Sequence, residues 1–158
     1  MADHPYDLED RLLEYAAEII RLSENLRKSS ASAHIGNQLL RAGTSPYLNH
    51  GEAESAESRD DFIHKLSVCL KELRESRRAL RLIKRVPLLD RPETADALMR
   101  ESDELIRIFV ASVRTARKGL ARETSDAIYG AESLGDASTF DVRRSMFDVQ
   151  IRDEASSP

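Results

Sequence analysis

The strongest constraint on this chain is a run of core-type residues spaced alternately four and three apart, repeated in three separate stretches. The clearest stretch is Phe62, Leu66, Cys69, Leu73, Ser76, Leu80 and Ile83. Leu8, Leu12, Tyr15, Ile19, Leu22 and Leu26 repeat the rhythm, as do Ala95, Leu98, Ser102, Leu105, Phe109, Ser112 and Ala116. This alternation averages about 3.5 residues, close to one α-helical turn, so each set lines a single helix face. A half-buried strand would alternate every second residue instead.

The rhythm predicts helix one over residues 6–27, with Asp7, Glu9 and Asp10 in its first turn and Arg27 and Lys28 at its end, the charge order the helix dipole favours. Ser29-Ser30-Ala31-Ser32 reads as the connection. Helix two is expected over residues 33–54, with a weaker apolar pattern and a bend where Gly43, Pro46 and Gly51 interrupt it. Ser58 reads as the N-cap of helix three, which runs to Pro87. Helix four is expected to start near Asp90 as N-cap, with Pro92 in its first turn, and to end near Lys118. Four long helices joined by short loops predict an all-α, antiparallel up-down-up-down four-helix bundle over residues 1–118. Composition agrees: 33% of the 158 residues are charged, 5% are aromatic, and Gly and Pro number only six and five.

Residues 119–158 differ in character and hold four basic and eight acidic side chains, leaving twenty of each in residues 1–118. The formal charge of −4 therefore belongs to this acidic C-terminal extension. Its Phe140-Asp141-Val142 and Phe147-Asp148-Val149 segments read equally as a strand, a short helix, or a disordered tail with a docking segment. A single cysteine, Cys69, excludes an intrachain disulfide framework and a cysteine-based zinc site. The N-terminus has no signal-peptide pattern and no apolar run is long enough to cross a bilayer, so the expected location is cytoplasmic, away from membranes.

Five sets of residues carry groups capable of chemistry or binding. Arg41, Ser45, Asn49 and Glu52 fall on one face of helix two, and Lys65 and Glu72 are seven apart on helix three. Together they read as a buried polar network fixing helix register, in preference to a ligand pocket. Only Asp61-Phe62-Ile63-His64 resembles a carboxylate-x-x-His pair, and His50 with Glu54 supplies only two ligands, so neither metal nor cofactor is expected. Cys69 sits on the helix-three seam as a small buried apolar residue, and no nucleophile motif or phosphate loop occurs, so the chain reads as non-enzymatic. Between Lys71 and Arg85, the cations Arg74, Arg77, Arg78, Arg81, Lys84 and Arg85 outnumber Glu72 and Glu75. They read either as a solvated face or as a sequence-nonspecific nucleic-acid patch. A second stripe, Leu13, Ala16 and Ile20 on helix one with Met99, Ile106 and Val113 on helix four, reads either as a broad core face or as a subunit interface.

The block Gln38-Leu39-Leu40-Arg41-Ala42-Gly43-Thr44-Ser45, with Asn49 and Glu52-Ala53, followed by Asp61-Phe62-Ile63-His64-Lys65-Leu66, Leu70-Lys71-Glu72 and Glu75, resembles the four-helix bundle family also called ribosomal S23 or 23S rRNA intervening-sequence proteins. The resemblance spans about residues 6–118. It implies an up-down bundle and assembly of copies into a ring, commonly a pentamer, which favours the interface reading of the second stripe. The chain departs from the family pattern at Pro46-Tyr47-Leu48 and in residues 119–158. The expected role is a self-assembling scaffold or adaptor that docks a protein partner; the competing one is a nucleic-acid-binding accessory protein using the basic end of helix three.

Overall fold

Two serines set where the middle helices begin. The side chain of Ser29 accepts a hydrogen bond from the Ser32 N–H at 3.0 Å, and that of Ser58 accepts one from the Asp61 N–H at 3.1 Å. Each satisfies one of the amide donors that an α-helix leaves unpaired at its start. The computed structural model describes residues 8–129 as α1 (Leu8–Glu24), α2 (Ser30–Glu54), α3 (Arg59–Arg85), a 3-10 turn over Pro92–Thr94, and α4 (Ala95–Tyr129). The acidic segments Phe140-Asp141-Val142 and Phe147-Asp148-Val149 lie outside the described residues.

Four boundaries differ from expectation: α1 ends at Glu24, so Arg27 and Lys28 lie in the connection beyond it and not in its last turn. Ser29 caps α2, so Ser30-Ala31-Ser32 is helical and not a linker. Asp90 does not cap α4: its carboxylate accepts the Nε–H of Arg27 at 2.9 Å, and the 3-10 turn lies between it and the helix. Further along, α4 runs past Lys118 to Tyr129. Half-buried Leu120 packs on the core and Arg59 pairs with Glu123 at 2.7 Å, so this last stretch still has something to bind to. Pro46 lies inside α2, which continues unbroken through it.

Side-chain pairs fix the helix directions. Lys65 meets Glu52 and Cys69 meets the Pro46 carbonyl, so α3 runs antiparallel to α2. Arg59 with Glu123, Arg77 with Asp103 and Lys84 with Asp96 run α4 antiparallel to α3. The core is the union of the seam positions: Leu12, Ile19, Leu39, Leu66, Leu73, Leu80, Ile83, Leu105, Phe62 and Phe109 are fully buried. Each such side chain contributes roughly 2 kcal/mol of apolar burial. At one end of the bundle the Arg27 N–H donates to the Leu88 carbonyl at 2.8 Å and buried Leu88 and Leu89 close the core, tying the two loops together.

Polar seam positions are used as carefully as apolar ones. The buried Tyr15 hydroxyl lies 2.7 Å from Ser76 Oγ and 2.8 Å from Ser102 Oγ, joining α1, α3 and α4. Ser76 also donates to the Leu73 carbonyl and Ser102 to the Leu98 carbonyl. Burial is the main cause that raises the Tyr15 phenol pKa, so the hydroxyl keeps its proton.

Close approach of α1 and α2 depends on Gly43. A Cβ there would come within 2.7 Å of Ile19 Cγ2 and 3.1 Å of its Cβ, a clash that no rotation about χ1 of Ile19 removes entirely. Gly51, further along the same helix, has open space where its Cβ would be. Replacing a helical Gly by Ala gains up to about 1 kcal/mol in propensity, whereas overpacking costs about 1–3 kcal/mol. Gly51→Ala is therefore expected to raise the urea midpoint and Gly43→Ala to lower it. Equal shifts of the same sign would show that the Ile19 contact does not limit the α1–α2 approach.

Candidate functional site

The polar block of α2 lies beside the core, not in it. The positions facing inward are Leu39, Ala42, Gly43, Pro46, His50 and Ala53, which leaves Arg41, Ser45, Asn49 and Glu52 on the flank. Asn49 Nδ2 donates to the Ser45 carbonyl at 3.0 Å and to Ser45 Oγ at 2.9 Å, both within the helix. Lys65 pairs with Glu52 across the α2–α3 seam, and that hydrogen bond raises the Lys65 pKa. Arg41 is exposed, and half-buried Glu72 has Lys71 at 3.9 Å. The structure thus brings together two pairs and not one buried network of six. The inward polar residue of this stretch is His50, which the sequence offered only as half of a two-ligand pair with Glu54; it is buried and edge-on to Phe109 with ring centroids 6.3 Å apart.

Cys69 is fully buried, its Sγ 3.5 Å from the Pro46 carbonyl oxygen. Burial pushes its thiol pKa up to about 12. Among the described residues, no three His, Cys, Asp or Glu side chains converge as a metal site would require.

The basic end of α3 is divided by α4. Arg77 makes a two-pronged ion pair with Asp103, including Nη2 to Oδ2 at 3.1 Å, and Lys84 pairs with Asp96. Arg74, Arg78, Arg81 and Arg85 are exposed. Of these, Arg74 and Arg78 line an open crevice of about 960 Å³ along the α3–α4 seam. Across it stand Arg114, Arg117 and Lys118 of α4, which the sequence reading did not single out. Their signal was present, since spacings of three and four put all three on one side of a helix. What was missing was the pairing of that side with α3.

The second stripe also divides. Leu13 and Ile20 are 47% and 45% exposed. Ala16 and Val113 are buried, while Met99 and Ile106 are half-buried against the core. Arg11 reaches Glu101 on α4 at 2.7 Å. Leu13, two residues on, lies roughly 200° around the helix from Arg11 and so points away from α4. The six residues do not form one outer face: the α4 members and Ala16 are core shoulder, and only the α1 pair stands free.

This arrangement of four helices matches a known family. The family model described as 23S rRNA-intervening sequence protein matches residues 8–111. The chain belongs to the 23S rRNA-intervening sequence protein family. It is also similar to a crystal structure of a protein of unknown function from the S23 ribosomal protein family of Bacteroides thetaiotaomicron. That likeness has a TM-score of 0.62 at 34% identity and covers 68% of this chain and 98% of that one. No curated protein matches the chain. Members of this family are thus similar over the bundle, and no helix among the described residues is long and apolar enough to cross a membrane.

The placement of Cys69 has a chemical consequence. The reactive species toward disulfide reagents is the thiolate, and a pKa of about 12 leaves almost none at pH 8. In the folded chain, Cys69 is expected to resist a thiol-reactive chromogenic disulfide at pH 8 and to react fully in denaturant. Rapid labelling of the native protein would contradict the burial described above.

Proposed function

We propose that this family member is a non-enzymatic scaffold that associates with copies of itself and presents its outer helix faces to a partner. The observation that carries the reading is the pair Leu13 and Ile20, two large aliphatic side chains seven residues apart on α1 with nearly half their surface in water. Seven residues are close to two helical turns, so the pair forms one stripe. Leu48, 63% exposed, adds a third aliphatic on the neighbouring helix α2. Isolated exposed leucines are common on soluble proteins, but a stripe on a helix otherwise carrying Glu9, Asp10, Glu14 and Arg21 outward suits a contact surface. Ring assembly, implied by the family resemblance, supports the same reading.

The sealed Cys69 and the pairwise surface engagement of Lys65, Glu52, Asn49 and Ser45 fit a structural role for those residues. Light scattering is expected to give a mass several times the 17.8 kDa of one chain. Leu13→Glu with Ile20→Glu is expected to reduce it to one chain without loss of helical circular dichroism. A monomer before any substitution would contradict the proposal.

A further inference from the structure

The crevice between α3 and α4 has a charge pattern that helix packing alone does not account for. Asp96, Asp103, Val110 and Arg117 follow one another at steps of seven on α4 and so share a helix face. The first two neutralise Lys84 and Arg77 of α3. Two steps further on, the face turns cationic while α3 stays cationic. Lys71, Arg74 and Arg78 stand on one wall and Arg114, Arg117 and Lys118 on the other, with Glu75 the acid lining the crevice. All six cations are exposed, and among the described residues only Lys71 has a carboxylate within ion-pair distance, Glu72 at 3.9 Å.

Like charges facing each other across a seam repel, and a polyanion laid between them turns that repulsion into attraction. The floor is apolar, made by Leu70, Val110, Val113 and Ala121. We infer that this crevice is a binding site for single-stranded nucleic acid, the phosphates held by the six cations and the unpaired bases resting on the apolar floor. A duplex would offer phosphates but keep its base faces stacked inside. An acidic peptide would offer charge without a planar apolar group for each charge. The cations grip phosphates, which are the same at every nucleotide, so the site is tolerant of sequence. The site names a partner for the scaffold proposed above, but it lies on α3 and α4, apart from Leu13 and Ile20, and does not require self-association.

On α3 the lining runs from Ser67 to Arg78, which at 1.5 Å per residue is about 17 Å, room for roughly three or four phosphates of an extended strand. With a salt slope of about −0.7 per phosphate, affinity should fall by roughly 20- to 50-fold between 50 and 200 mM salt. The test is fluorescence anisotropy of labelled oligo(U) and oligo(dT) on the full chain, with a duplex and poly-glutamate as competitors. Both single strands are expected to bind with that salt dependence. Arg114→Glu with Arg117→Glu should abolish binding at unchanged oligomeric mass. Arg81→Glu with Arg85→Glu, outside the crevice, should change it less than threefold. Leu13→Glu with Ile20→Glu should leave per-site binding intact, which separates this inference from self-assembly. No binding at 50 mM salt, equal loss from the Arg81 and Arg85 substitutions, or equally tight competition by duplex or poly-glutamate would overturn it.

Discussion

Three helices of this bundle are joined by three buried hydroxyl groups. Tyr15 brings its phenol to Ser76 and Ser102, and both serines also reach a carbonyl of their own helix. Three hydroxyl protons serve four oxygen–oxygen contacts, so at any moment one contact lacks a proton and the cluster works only as a unit. Unlike apolar packing, which tolerates sliding, such contacts are lost within a fraction of an ångström. The cluster therefore sets the height of α1 against α3 and α4, and of α3 against α4. Ionisation of the phenol would break it, and the upward pKa shift caused by burial stabilises the fold below the usual phenol range and is lost as pH rises through the shifted value.

Register at that point decides what meets what along the rest of the α3–α4 seam. With Ser76 and Ser102 level, Arg77 falls opposite Asp103 and Lys84 opposite Asp96. Towards the other end, Arg59 reaches Glu123. Between these matched positions the two helices place cations on both walls of an open crevice. Charge matching across the seam thus holds at Arg77–Asp103 and Lys84–Asp96 and lapses along the crevice. The overall balance of the bundle conceals this, because matched and unmatched cations count equally in a net charge.

The helices and the core were legible because seam residues depend on local periodicity: every residue named in the three four-three runs between Leu8 and Ala116 is buried, except half-buried Leu26. The capping role of Ser58 was legible for the same reason, since its partner is three residues away. The end of α4 was less so. Lys118-Gly119 reads as a stop, and only the tertiary contacts of Leu120 and Glu123 carry the helix onward. The α2 polar block was placed on the correct face relative to itself but too far inward, because Pro46, Gly43 and His50 occupy the core positions that polarity alone would assign elsewhere. The crevice was half legible: Arg74 and Arg78 were visible as a basic run, while Arg114, Arg117 and Lys118 gain meaning only when α3 is set beside α4. Pairings between distant helices are properties of register, which a single sequence does not print.

The hydroxyl cluster is cooperative and fixes that register. A double-mutant cycle of Tyr15→Phe and Ser102→Ala, measured by urea unfolding, tests it most directly. The expected result is that each single change destabilises the fold and that the pair couples by about 1 kcal/mol. Additivity within about 0.3 kcal/mol would show instead that the two hydroxyls are packing neighbours and not one bonded unit.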